Sequence, residues 1–151
     1  MDAIKRAEAI NGERDNMISL KFIVSFLIFI IAVHALALVN YWYWTYQWLD
    51  IPMHFLGGFW TAMVFFWLYQ KTQNFALPTI INCLSFVALI GVLLEFIEFF
   101  YDVFISSRGY VGFLQLGTAD TMTDLFFDLL GAFVFVIIYK VIANKKVIRN
   151  Q

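Results

Sequence analysis

Three aspartates recur every fourth residue in GTADTMTDLFFDLLGAF, residues 117–133: Asp120, Asp124 and Asp128. At 3.6 residues per turn that spacing sets all three carboxylates on one helix face. Glu95 and Glu98 stand three apart in GVLLEFIEFF, and Asp50 and His54 stand four apart in DIPMHFLGGF. The chemistry open to such a set is that of hard oxygen donors joined by an imidazole. Carboxylates with one or two histidines suit divalent Mn, Fe or Zn, whereas carboxylates alone suit Mg or Ca. Cys83 is the single cysteine, so no thiolate set exists for softer ions. With Asp102 the carboxylates number seven, more than one ion needs for neutralisation. Two or more ions, or a partly protonated cluster, fit better.

The elements that must position these groups are set by composition. The 151 residues are 62% hydrophobic, with 18 phenylalanines, and only 14% are charged, against about 25% in ordinary soluble domains. Apolar stretches cover residues 18–40, 51–69, 77–101 and 121–143, each near the roughly 20 residues that a helix needs to cross the hydrocarbon core. The expected fold is all-α: a polytopic integral membrane protein built as a bundle of four transmembrane helices, at about 18–40, 51–69, 77–101 and 120–143. A tail over 1–17 precedes the 18–143 membrane domain, and a basic tail over 144–151 follows it. Lys21 before an apolar run and the ALA at 35–37 loosely resemble a secretory signal, but the first stretch is read as a retained helix. Nothing in the chain suggests a nucleic-acid partner; the expected partners are membrane lipids and divalent cations, with self-association as a homo-oligomer left open.

Lys and Arg bias short loops toward the cytoplasm. Nine of the ten basic residues lie in the two tails, at the helix ends beside them, or at Lys71 between the second and third stretches; Arg108 is the exception. Both termini are therefore expected inside, and the 41–50 and 102–119 connections outside. YWYWTYQW at 41–48 agrees, because Trp and Tyr favour the headgroup level. On this frame all seven acids beyond the N-terminal tail fall in the outer half of the membrane or at its rim. His54 lies one turn below Asp50, and His34 is in the outer half of the first helix.

Ordinary structural duties account for some of these groups. Asp50, just before IPMHF with Pro52 in the first turn, looks like an N-cap. Asp120 can serve the positive end of the fourth helix. Asp128 lies roughly 12 Å further along and caps nothing. Glu95 and Glu98 approach a helix C-terminus, where the dipole repels anions, so they need a cation, a proton or a donor. An isolated acid in mid-membrane costs roughly 2.5–3.5 kcal/mol on insertion scales. His34 is equally a hydrogen-bonded interior histidine or a ligand, and Arg108 is expected to pair with Asp102 at the rim. Gly57, Gly58, Gly91 and Gly131 share faces with His54, Glu95 and Asp128, where small residues let helices approach closely.

DIPMHFLGGF (50–59), GVLLEFIEFF (91–100) and DTMTDLFFDLLGA (120–132) together resemble the pattern of the YjdF-type family of small bacterial inner-membrane proteins, and more distantly VanZ-like proteins. The resemblance implies the bacterial cytoplasmic membrane as location and puts Asp50, His54, Glu95, Glu98, Asp120 and Asp124 at motif positions. Asp128 departs from the pattern. VanZ-like proteins imply a link to glycopeptide resistance at the cell envelope, and no reaction follows from either family.

Three classes of function remain on the residues alone. One is a metal-dependent enzyme opening outward at the lipid interface onto a lipid or lipid-linked substrate, with His54, Glu95, Glu98, Asp120 and Asp124 as ligands and Asp50 and Asp128 as supporting groups or general base. Another is a cation-binding transport, channel or sensing protein, for which the inner half offers no acidic relay. The last is an accessory protein whose helices an ion holds together. A groove open to lipid favours the first, a continuous polar pore the second and a sealed site the third.

Overall fold

The computed structural model describes residues 18–69, 76–109 and 112–149. Four long helices dominate it: α1 Leu20–Val39, α2 Asp50–Leu68, α3 Leu77–Phe104 and α4 Thr118–Arg149. No strand occurs among the described residues, and all four helices are long and apolar enough to cross a membrane. This is the all-α transmembrane bundle that composition called for. Lys71 falls outside the described residues, as do the whole 1–17 tail and residues 150–151.

Local signals explain the helix ends. The Ser19 side chain accepts a hydrogen bond from the Phe22 amide at 3.2 Å, capping α1. Pro78 occupies the first turn of α3, where its missing N–H costs nothing. The third helix runs one turn past the expected residue 101, and the fourth begins at Thr118 and continues to Arg149, so that the basic residues after 143 extend a helix. The aromatic segment after α1 also has structure: a short helix Trp42–Thr45 and a 3-10 turn Gln47–Leu49. That turn overturns the capping role of Asp50. Leu49 already has helical angles (φ −66°, ψ −26°), no side chain caps α2, and Asp50 is its first residue.

α2 and α4 run side by side in the same direction, and their backbones touch through two glycines. A Cβ on Gly58 would strike the Asp128 backbone carbonyl, and one on Gly131 would strike the Phe55 carbonyl and the Phe59 amide. α3 runs antiparallel to both and brings Gly91 against the Asp128 side chain. Toward the other end of the bundle the same helices meet through Met63, Phe66, Phe135, Val136 and Tyr139, an apolar core with rings packed at 4.9–5.8 Å. α1 is more loosely attached: Trp60 Nε1 donates to the Ile23 carbonyl at 3.0 Å, and Phe26 meets Phe59 edge-on. Most of its remaining surface is exposed apolar side chain, the surface that lipid solvates.

Candidate functional site

The α2–α4 crossing sets the positions of the acids. Asp50 and His54 are one turn apart on α2, Asp124 and Asp128 are one turn apart on α4, and the two pairs face each other. His54 sits at the centre. Its Nε2 is 3.6 Å from Asp50 Oδ1 and 3.9 Å from Asp124 Oδ1, while its Nδ1 is 3.5 Å from Asp128 Oδ1. These separations exceed good hydrogen-bond lengths. They are the distances of ion pairs when His54 is protonated, and the two from Nε2 also suit two donors that each lie about 2.0–2.2 Å from one ion, roughly 3–4 Å apart. One ligand atom each from Asp50, His54 and Asp124 falls within 4.8 Å of the others.

Burial sharpens the point. Asp124 is 2% exposed, Asp128 3%, Glu95 6% and His54 7%. Asp124 Oδ2, Asp128 Oδ2, Glu95 Oε1, Glu98 Oε2 and His54 Nδ1 are buried atoms without a hydrogen-bond partner. Buried polar atoms are nearly always satisfied, and a buried charge without a partner costs several kcal/mol (order of magnitude). Among the described residues no Lys or Arg comes within ion-pair distance of any carboxylate. The donor set is one that suits a cation: hard oxygens and one imidazole, in reach of each other, with His54 the one side chain beside Asp50, Asp124 and Asp128 that can itself carry positive charge.

The other expected ligands lie around this group rather than in it. Glu95 Oε2 accepts from Gln115 Nε2 at 3.0 Å, and the same Nε2 reaches Thr121 Oγ1 at 3.2 Å. Asp120 Oδ2 accepts the Leu116 amide at 2.8 Å, steadying the entry into α4 as its helix-end position suggested. Asp50, by contrast, which residue spacing placed outside the ligand set, is inside the three-residue group. Glu98 and Asp120 line a small chamber of about 80 Å³ beside Asp50, walled by His34, Tyr43 and Trp44. His34 Nδ1 and the Tyr43 hydroxyl share a hydrogen bond of 2.7 Å, and His34 is exposed. Burial, with the Asp50 and Glu98 carboxylates adding to it, pushes the Tyr43 phenol up, so it stays a hydroxyl.

Two connections roof the chamber. Trp44 Nε1 donates to the Phe113 carbonyl at 2.9 Å, and a Cβ on Gly112 would strike the Trp44 ring. Asp102 pins the second connection: its carboxylate accepts the Leu114 amide at 2.9 and 3.1 Å, the Gln115 amide at 2.9 Å and the Ser106 hydroxyl at 2.9 Å. The expected Arg108–Asp102 pair is absent, because backbone donors already fill the carboxylate, and Arg108 is exposed. Sequence reasoning missed Gln115, the side chain that anchors Glu95; a polar residue within LQLGTA just before the acidic helix was the available signal.

A family model described as "Predicted membrane protein (DUF2238)" matches residues 10–145, a span that takes in the first three long helices and most of the fourth. No curated protein and no solved structure matches the chain.

Proposed function

The chain belongs to the DUF2238 family of predicted membrane proteins, and from that premise we propose that it binds a divalent cation within the membrane and uses the site on a lipid or lipid-linked envelope substrate. Asp50, His54 and Asp124 hold the ion, and Asp128 faces the other nitrogen of His54. At 3.5 Å Asp128 is beyond hydrogen-bond length, and a closer approach of a few tenths of an ångström, roughly, lets it accept the Nδ1 proton and leave the Nε2 lone pair for the ion, as carboxylates do for metal-binding histidines. Three protein ligands leave positions free for water or a substrate oxygen. A bound ion there supplies Lewis acidity toward a phosphoryl or carbonyl oxygen. Glu95, Glu98 and Asp120 ring the site and bind further cations or a substrate's donors. The observation that carries the reading is the mutual reach of Asp50, His54 and Asp124 at a place where buried carboxylate oxygens have no other partner.

What supports this over a conduction route is the packing beyond Asp128, where Ala132, Phe135, Val136 and Tyr139 are buried with Met63 and Phe66. The closer affiliation with YjdF-type proteins, the bacterial cytoplasmic membrane and termini on the inner side belong to the same proposal, supported by the quoted motifs and by the basic residues of the tails. Mn, Zn, Fe, Mg and Ca are the ions that the donor set admits. Elemental analysis of detergent-purified protein, with and without Asp50→Asn and Asp124→Asn, tests the site. Stoichiometric metal lost in both variants is expected; no metal after purification in metal-supplemented, chelator-free buffer and no thermal shift on adding any of the five ions would reject it.

A further inference from the structure

α4 outlasts the helices that flank it. Gly58 of α2 and Gly91 of α3 both meet it at Asp128. From that level α2 runs ten residues to Leu68, α3 fourteen residues back to Leu77, and α4 twenty-one residues on to Arg149. At roughly 1.5 Å per residue the end of α4 stands about 10 Å beyond the longer of these neighbours. Its outer face changes character on the way. Ile138, Ile142, Lys145 and Arg149 recur at helical spacing and share one stripe. Ile138 and Ile142 are 43% and 49% exposed, and Lys145 and Arg149 are exposed as well. Among the described residues no carboxylate comes within ion-pair distance of either cation. Toward the helix end the stripe therefore passes from apolar surface to two unpaired positive charges.

We propose that this stripe binds an anionic phospholipid of the adjoining leaflet, with an acyl chain along Ile138 and Ile142 and the phosphodiester held between Lys145 and Arg149. Depth supports the pairing. The apolar span Thr118–Lys145 has 28 residues, roughly 42 Å of helix, which is the thickness of a bilayer with its headgroup layers, about 40–45 Å. Lys145 and Arg149 thus reach the phosphates while Ile138 and Ile142 stay beside the chains, the order in which a phospholipid presents the same parts. A guanidinium fork with an ammonium one turn away suits a phosphate of net negative charge. A choline headgroup brings its own cation and gains less from them. Cations in the last turn also answer the helix dipole, but that duty is blind to the lipid, so a preference for headgroup charge separates the two roles. Neither the ion at Asp50, His54 and Asp124 nor the orientation of the chain enters the proposal.

The test uses the full chain in phosphatidylcholine nanodiscs with a trace of phosphatidylglycerol or phosphatidylcholine, each carrying a photoactivatable diazirine in its acyl chain. Crosslinks from the phosphatidylglycerol probe should concentrate within 138–142 of α4, and unlabelled phosphatidylglycerol should compete for them where soluble glycerol 3-phosphate does not. Lys145→Gln and Arg149→Gln should each weaken that competition about fivefold, the equivalent of about 1 kcal/mol for each basic residue at a charged lipid surface. Lys145→Arg should keep it. Lys140→Gln removes the same charge from another side of the helix and should change it far less. Both stripe cations lie beyond the contacts that hold the bundle, so the melting temperature in phosphatidylcholine alone should stay at the parent's value; if Arg149→Gln does not fold, Lys145→Gln and Lys145→Arg carry the comparison. Equal labelling by the two probes, as when acidic residues of the 1–17 tail occupy the stripe, would overturn the proposal. So would competition by glycerol 3-phosphate as strong as by the lipid, or a loss with Lys140→Gln as large as with Lys145→Gln, which would mean net charge and no site.

Discussion

Asp124 and Asp120 are one turn apart and chemically identical, yet they live in different surroundings. Asp120 bonds the Leu116 amide at the start of α4, whereas Asp124 is buried against His54 with one oxygen unpartnered. Asp124→Asn should therefore lower metal content and melting temperature, and Asp120→Asn should change both far less. An ion at a hundred times its Kd adds about 2.7 kcal/mol of stability, and that increment should vanish in the Asp124 variant, which a melting curve with and without chelator would show. A variant that melts higher and ignores chelator would instead mean a cluster of mutually repelling acids with no ion. Asp128 separates orientation from packing. Asp128→Asn should weaken metal binding by roughly 10–100-fold, as loss of a histidine's orienting carboxylate does. The chelated protein should be as stable as the parent or more so, since a buried charge has gone. Metal titration followed by calorimetry measures the first, and melting in chelator the second.

At the scale of the elements, the site exists because α2 and α4 lie in backbone contact. Gly58 faces the Asp128 carbonyl and Gly131 the Phe55 carbonyl, with no room for a methyl group at either position. Gly57, one residue away, has its nearest neighbour at 3.9 Å from a Cβ, an ordinary contact. Gly57→Ala should thus be tolerated, while Gly58→Ala or Gly131→Ala should force the helices apart, destabilising the protein by at least the roughly 1–3 kcal/mol of an overpacked core. Metal affinity should fall with it, because His54 and Asp124 come from opposite sides of that contact. Unfolding in a detergent titration, read alongside metal content, checks both. Asp102 makes a comparable claim on the connection between α3 and α4: Asp102→Ala strands the Leu114 and Gln115 amides, and faster proteolysis within 109–117 is the expected outcome.

For the whole molecule, the acids and the aromatic roof share one end of the bundle, and the apolar core of Phe66, Phe135 and Tyr139 occupies the middle and the other end. The proposed orientation puts the acidic end outside. In a Cys83→Ala background, a cysteine at exposed position 107 should react with a membrane-impermeant maleimide in intact cells, and one introduced at position 71 should react only after lysis. The reverse pattern would turn the site toward the cytoplasm and remove envelope substrates from the proposal, while leaving the metal geometry as it is.

How much of this was legible in the chain follows from what each feature depends on. Length and hydropathy of a segment are local, so the four spanning helices could be read directly, with ends that shift where the turn Gln47–Leu49 winds the chain ahead of α2 and where α3 and α4 continue beyond 101 and 143. The four-residue spacings of Asp50 with His54 and of Asp124 with Asp128 were likewise local, and so was the meeting of small residues and acids on one face. Which acids meet which was not local. The glycine contact fixes the axial register of α2 against α4, and that register brings both Asp50 and Asp124 within reach of His54 Nε2. Arg108 looked like Asp102's natural partner until the connection folded its own amides onto the carboxylate. The sequence by itself determined an α-helical membrane bundle with its acids gathered toward one end, because hydrophobicity and helical period act along the chain. Only the tertiary structure decided which three side chains share one point, because that depends on how far one helix slides along another before two glycines let their backbones touch.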